Sequence, residues 1–360
     1  MKINKAIFIA ATGQNVGKTT VSLGVLSTLT QKYHKVGFMK PIGQEHVEAE
    51  KDLHVDKDVL LFKNYFDLKD SFKDMSPVLF PKGFTRDFLD GKVAREELTK
   101  KIEEAFQQMA SRNEITIVEG TGHTAVGSIV DLNNAQVAAL LGIHIIMVAP
   151  GGLGSSFDEI ALNKAQCEKY GVKIAGVILN RVLPEKKRMI KKYMLKALEA
   201  WKIPLLGCIP FNSFLNTPSM EDFAQLFQSP LLSGKEHRFC HFEQIGLITT
   251  FEEMGCKLIR PNELIITDAS REDILENVLR CPGVSVGMIL TGNSPPKTTI
   301  VARLKKMKIP MLYAPYDHFL VTKMISSYTT KIRKKDIAKI EEAIRVVRGH
   351  IDLDLLYELL

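Results

Sequence analysis

An apolar run, Ile7-Phe8-Ile9-Ala10, gives way after one more alanine to Thr12-Gly13-Gln14-Asn15-Val16-Gly17-Lys18-Thr19-Thr20, and an apolar-periodic stretch follows at once. Strand, tight loop and helix in that order commit the chain to an α/β arrangement. They also aim a helix N-terminus and several backbone N–H groups at one point, where a phosphate can sit. Gly17 lets the backbone close on that phosphate. Lys18 is expected to reach the β- and γ-phosphates of a nucleotide, and the Thr19 hydroxyl to help hold a magnesium ion. Gly13, Gln14, Asn15, Val16 and Thr20 complete the expected cradle. The general pattern asks for glycine five residues before Gly17, and Thr12 stands there instead.

The helix expected over Thr19 to Tyr33 places Val21, Leu23, Val25, Leu26 and Leu29 at sheet-packing intervals. Strands follow at Lys35 to Met39, Ile115 to Val118, Ile143 to Val148, Ile174 to Leu179 and Leu205 to Ile209, with helical segments between them, among them Arg95 to Arg112. Alternation of this kind implies a parallel sheet with helices on both faces, and ligands bind outside the carboxyl ends of such strands. Polar residues just after strands are therefore the candidates: Lys40, Glu119 and Asn180. Lys40 adds a second cation beside Lys18, against the alternative of an ordinary exposed lysine. Glu119, before Gly120-Thr121-Gly122, is placed to hold magnesium opposite Thr19. Asp56 and Asp58 offer a further carboxylate, with a helix cap as the competing use of Asp58.

At 360 residues, with 45% apolar and 25% charged residues, the chain has material for two soluble domains. A polar turn near Asn212 to Pro218 closes the first run. A smaller alternation follows, with strands at Gln244 to Ile248, Leu264 to Thr267, Val284 to Thr291 and Pro310 to Tyr313. Its helices are expected from Glu252 to Met254 and beyond, at Arg271 to Arg280 and at Pro296 to Met307. A closing helix, Lys334 to Val347, aligns Ile337, Ile340, Ile344 and Val347. The domains expected are residues 1–215, 216–333 and a C-terminal helical segment, 334–360.

The net charge of +7 suits anionic ligands. Its densest patch, Lys186-Lys187-Arg188 with Lys191, Lys192 and Lys196, carries apolar residues at helical spacing and reads as the solvated face of an amphipathic helix, so no nucleic-acid partner is expected. No apolar run is long enough to span a bilayer and the N-terminus lacks a signal-peptide layout, so no membrane partner is expected and the cytoplasm is. Five widely spaced cysteines without a Cys-x-x-Cys pair read as reduced thiols. The Gly151-Gly152-Leu153-Gly154-Ser155-Ser156 stretch reads as a strand-to-helix turn capped by serine.

Thr12 to Thr19, Lys40-Pro41, Glu119-Gly120-Thr121-Gly122 and Ile178-Leu179-Asn180-Arg181 occur in the order and approximate spacing of dethiobiotin synthetase, and residues 1 to 215 resemble that family. The resemblance implies a P-loop NTPase fold, ATP and Mg2+ as cofactors, and catalytic roles for Lys18 and Lys40. It further implies metal contacts from Thr19, Asp58 and Glu119, and an adenine-reading Asn180. Glu119 to Ser128 and Asn180 to Lys186 resemble the similar domain at the N-terminus of long phosphate acetyltransferases, where a DRTGG domain follows. Thr267 to Asp273 and Leu290 to Asn293 look like that domain's two signature regions, with Asp268-Ala269-Ser270-Arg271 in place of the usual spacing and Asn293 in place of a second glycine.

The fold expected is thus a mainly parallel sheet flanked by helices, followed by a smaller α/β DRTGG-like domain. Residues up to Leu360 leave no room for an acetyltransferase catalytic domain, and Lys40 to Gln44 with Gly122 to Thr124 depart from the synthetase's substrate side. Gly13 stands where partition-type ATPases carry an extra lysine, which disfavours their dimer mechanism. The expectation is a magnesium-dependent ATP-binding module of ATPase type, as a homo-oligomer. A ligase acting on a small-molecule substrate, and a non-catalytic nucleotide sensor or assembly factor for an acetyltransferase-like partner, stay open.

Overall fold

The computed structural model describes residues 5–248, 260–281 and 286–359. The helix expected at Glu252 to Met254, the first residues of the strand expected from Val284, and Cys256 lie outside them. The chain divides into two compact units, the first made of residues 1–212 and 332–360 and the second of 213–331. The second unit is therefore an insertion within the first.

Ten strands belong to the first unit: β1 (Lys5–Ala11), β2 (Val36–Met39), β3 (Ile42–Gly43), β4 (His46–Glu50), β5 (Leu53–Asp56), β6 (Val78–Leu79), β7 (Ile115–His123), β8 (Ile145–Pro150), β9 (Ile174–Val182) and β10 (Leu205–Pro210). Six of them form a sheet in the order β10-β9-β8-β1-β7-β2, with every pair parallel. The central strands are buried on both faces, as a doubly covered parallel sheet requires, which is why β1 and β8 read as continuous apolar runs. The flanking helices are α1 (Lys18–Leu29), α2 (Lys57–Phe66), α3 (Phe72–Met75), α4 (Phe84–Leu89), α5 (Arg95–Arg112), α6 (Asn134–Leu141), α7 (Gly154–Lys169) and α8 (Lys187–Glu199). On α8, Ile190, Met194 and Leu198 are buried while the lysines and Arg188 face solvent or are half-covered, so the basic run is an amphipathic face. The polar segment after Pro41 is a hairpin, β4 and β5 paired antiparallel, beside the two-stranded β3-β6 sheet.

The second unit adds α9 (Ser213–Asn216), α10 (Met220–Leu226), β11 (Leu231–Ser233), β12 (Gln244–Leu247), β13 (Glu263–Asp268), α11 (Glu272–Leu279), β14 (Val286–Thr291), α12 (Thr298–Lys306), β15 (Met311–Tyr313) and α13 (His318–Ser327). Strands β12 to β15 run parallel in chain order, and β11 joins the edge antiparallel. Alternation along each strand builds two cores. Ile265, Met288 and Met311 face Leu275, Val278, Ile300 and Leu304 of α11 and α12. Leu264, Ile266, Ile289 and Leu312 face Met220 and Phe223 of α10 and Val321 of α13.

The C-terminal residues, set apart in the sequence, return to the first unit as α14 (Ile337–Arg348) and α15 (Leu353–Glu358). Asp336 caps α14, and its buried stripe is Ile340, Ala343, Val346 and Val347, with Ile337 exposed. This stripe lies on α1 so closely that a Cβ on Gly24 would stand 2.3 Å from Val347 Cβ. Ile351 bridges Gly207 and the Asp352 amide donates to Leu206 O, so the same segment also covers the edge strand β10. Cys167, Cys208 and Cys240 are free thiols, whereas Cys281 is disulfide-bonded, which corrects the reading of all five cysteines as reduced. Among the described residues, no helix is long and apolar enough to cross a membrane.

Candidate functional site

Strand β1 lies between β7 and β8, so the sheet grows away from it in both directions and leaves a crevice at its carboxyl end. The loop from Thr12 to Gly17 turns across that crevice into α1. Asn15 (φ 56°) and Gly17 (φ 105°) take the left-handed conformations that the turn needs. A Cβ on Gly17 would lie 2.1 Å from Asn180 Nδ2, so only glycine fits there. Asn180, at the end of β9, donates to Val16 O at 2.8 Å and so joins the loop to the far side of the crevice.

The charged residues singled out in the sequence converge. Lys40 follows β2 and is 6% exposed; its ammonium donates to Asp58 and, at 3.1 Å, to Glu119 Oε1, with Asp56 Oδ1 3.8 Å away. Thr19 Oγ1 donates to the same Glu119 oxygen at 3.3 Å. Lys18, itself buried, donates to Gly122 O at 2.7 Å. Of the two uses weighed for Asp56 and Asp58, the structure gives the cap to Asp56, which accepts from the Asp58 amide at 3.0 Å and opens α2. Asp58, one step inside the helix, faces Lys40.

Two ammonium groups thus meet three carboxylates out of water. Burial would drive the Lys40 ammonium toward neutrality, but Asp58, Glu119 and Asp56 overcome it and hold Lys40 well above the ordinary lysine range. Lys18 lacks such close partners, and burial lowers it to about 8, with Lys40 adding to the drop and Glu119 opposing it. Burial also raises Glu119, opposed by Lys40 and reinforced by Asp58; Asp56 rises for the same reasons. Glu119 Oε2 and Ser22 Oγ are both buried without a hydrogen bond of ordinary geometry, although the hydroxyl lies near enough to favour the carboxylate.

That orphaned oxygen bears on magnesium. Mg2+ takes oxygen ligands, commonly one or two carboxylates completed by phosphate oxygens and water. Glu119 Oε2, with no partner of its own, and the Thr19 hydroxyl beside the same side chain are donors of the right kind. Asp58 is nearby but occupied by Lys40. Among the described residues, no three His, Cys, Asp or Glu side chains converge as a self-sufficient metal cage.

Other polar groups at the crevice escaped the sequence reading. Thr12 donates to Glu159 Oε2 at 2.6 Å, and Asn163, also on α7, donates to Thr12 O. Phe211, 42% exposed, follows β10, and its amide donates to Val182 O beside the Asn180 strand end. Their only signal is position: a Glu and an Asn four apart on one helix, and an aromatic residue just after a strand. The Ser156 hydroxyl, inside α7, accepts from the Gly152 amide at 2.8 Å, but the helix opens at Leu153 without a side-chain cap, which corrects the serine cap expected there. His123 Nδ1 accepts from the Ala125 amide and serves a local turn.

An AAA domain model matches residues 5–219, well over half of the chain. The chain belongs to that family. Within the family it is of the dethiobiotin-synthetase-like P-loop kind, and a DRTGG domain model matches residues 222–328. Among curated proteins, the phosphate acetyltransferase of Pseudomonas putida is 26% identical over 98% of this chain and 52% of its own length. That of Pseudomonas aeruginosa is 27% identical over 97% and 51%. The chain therefore spans about half the length of these relatives. The ATP-dependent dethiobiotin synthetase BioD of Methanococcus vannielii is 27% identical over 56% of this chain and 92% of its own. A solved structure of MinD from Aquifex aeolicus aligns at 15% identity with a TM-score of 0.37, over 59% of this chain and 84% of that one, a likeness too loose to argue from.

Proposed function

We propose that this protein binds ATP with Mg2+ at the carboxyl end of β1 and acts as an ATPase-type regulatory module. The observation that carries the reading is the buried cluster in which Thr19, Lys40, Asp58 and Glu119 share hydrogen bonds beside Lys18. Buried ionised groups in this number are expensive, and they are worth their cost where a charged ligand completes them.

In this reading the loop amides from Gly13 to Thr20 cradle the phosphates. Lys18 exchanges Gly122 O for phosphate oxygens. Thr19 and Glu119 Oε2 would hold the magnesium ion, which would supply charge neutralisation to the phosphates. Lys40 keeps Glu119 and Asp58 ionised and in place, and Asn180 reads the adenine. Asp58, expected from the resemblance to contact the metal, would have to exchange Lys40 for it. The protein is read as cytoplasmic and homo-oligomeric.

A second reading, an ATP-dependent ligase, is favoured by the BioD match over 56% of this chain. There Lys18 and Lys40 would stabilise phosphoryl transfer to a small carboxylate or carbamate. Lys40, satisfied by three carboxylates, is poorly placed to meet a further anion, which favours the regulatory reading.

Calorimetry with ATP, with and without magnesium, tests the proposal. Lys18→Ala is expected to weaken binding by about a hundredfold, on the scale of two lost charge-assisted hydrogen bonds. Unchanged ATP affinity in Lys18→Ala overturns it. ADP formation that requires an added small carboxylate or amine would move the assignment to the ligase.

A further inference from the structure

The loop begins with Thr12 where the general phosphate-binding pattern has glycine, and this threonine is held at both of its polar ends by one helix. Its hydroxyl donates to Glu159 Oε2 at 2.6 Å, and its carbonyl accepts from Asn163 Nδ2 at 3.1 Å. Glu159 and Asn163 stand four residues apart on α7 and so share a face. Asn163 is 7% exposed and uses its whole amide: Nδ2 also donates to Glu159 O at 2.8 Å, while Oδ1 accepts from the Thr124 amide at 3.1 Å and from Thr124 Oγ1 at 2.6 Å. Its orientation is fixed by chemistry, because the Thr124 amide can only donate and the Thr12 carbonyl can only accept.

Thr124 belongs to the loop that follows β7, two residues beyond Gly122, whose carbonyl receives Lys18. The start of the phosphate loop, its lysine and the loop after β7 are therefore joined in one closed set of bonds. We propose that Glu159 and Asn163 are positioning residues that clamp the phosphate loop through Thr12 and couple it to residues 121–127, so that a phosphate capturing Lys18 is felt in that second loop. The inference rests on the ATP-binding reading. On this view Thr12 is a required part of the loop, not a tolerated departure from glycine. A hydrogen bond to a carboxylate at 2.6 Å is of the charge-assisted kind, and a fully satisfied buried amide is costly to disturb.

Two measurements test it. In the nucleotide-free protein, Asn163→Asp removes the amide donor to the Thr12 carbonyl and with it the link from Thr12 to Thr124. Hydrogen exchange at residues 121–127 is expected to quicken by about tenfold, on the scale of one lost buried hydrogen bond. Exchange there that matches wild type overturns the coupling, whether or not ATP binds. Calorimetry with ATP and magnesium is the second measurement. Thr12→Gly moves the loop toward the general pattern, yet it is expected to weaken affinity by about tenfold, while Thr12→Ser, which keeps the hydroxyl, restores it. Thr12→Val and Glu159→Ala together are expected to be no weaker than the worse of the two alone, because one removes the donor and the other the acceptor of the same bond. Additive losses, or tighter binding by Thr12→Gly, overturn the clamp. Wild-type protein that binds no ATP overturns the nucleotide reading, and the exchange measurement then still decides the clamp.

Discussion

The two units build parallel sheets by the same rules and use the ends of their strands in opposite ways. At the carboxyl end of β1, β2 and β7 the first unit buries Lys18, Lys40, Asp56, Asp58 and Glu119 together. At the corresponding ends of β13 and β14 the second unit closes on itself. Asp268 Oδ1 accepts from the Ser270 amide and hydroxyl, the Gly292 amide donates to Tyr316 O, and Tyr313 donates its hydroxyl hydrogen to Gly292 O. Ion pairs of the second unit, such as Arg271 with Asp273 and Lys297 with Glu272, lie toward solvent. A shared architecture therefore says little about where ligands bind; the place where charge is taken out of water says more.

The largest test of this contrast is Lys40→Met, which leaves three carboxylates facing one another without their cation. A loss of about 3–5 kcal/mol is expected in urea unfolding near pH 8, as for other buried pairs broken on one side. The loss should shrink near pH 5, where burial-raised Glu119 and Asp56 take up protons more readily. A loss under about 1 kcal/mol at pH 8 would mean that the cluster is already solvated and the contrast false.

The next effect belongs to Lys18. Its folded value of about 8 lies below the ordinary 10.5, so between those pH values the unfolded chain binds more protons than the folded one. Stability should therefore climb as pH rises from about 8 to 10.5, and be lost again as pH falls back, by of order 1–3 kcal/mol. The climb should vanish in Lys18→Met, and its persistence there would assign it to another group. At the second unit's surface, Asp273→Asn should cost no more than about 1 kcal/mol, measured by urea unfolding with and without added salt, because both partners are partly hydrated. A larger cost would erase the distinction between the two regions.

Much of the first unit was legible because its signals are local. The apolar strand, the loop from Thr12 to Gly17 and the helix after it are contiguous, and Lys40 follows β2 as expected, whereas β7 and β9 run on past the ends expected at Val118 and Leu179, so Glu119 and Asn180 lie within strands that lead to the same crevice. Asp56 and Asp58 could not be separated by sequence, since cap and ion-pair roles differ only in which oxygen meets which partner. Glu159 and Asn163 were not legible at all: their bonds to Thr12 and Thr124 span up to 151 residues of chain. The β4–β5 hairpin was hidden by its polar composition, because a ribbon with few buried side chains carries little alternation. The antiparallel β11 was missed because three residues make too short a pattern.

The return of α14 to α1 bears on the order in which the molecule can be made and on where it can be cut. The helix that carries Lys18 and Thr19 is synthesised well before residues 337–348, and the groove at Gly24 stays uncovered until they arrive. A nascent chain must therefore complete the whole inserted unit before α1 gains its outer neighbour. A fragment ended near residue 215, where the sequence invites a cut, would keep every residue proposed to bind phosphate and lack the lid on the helix that carries Lys18 and Thr19.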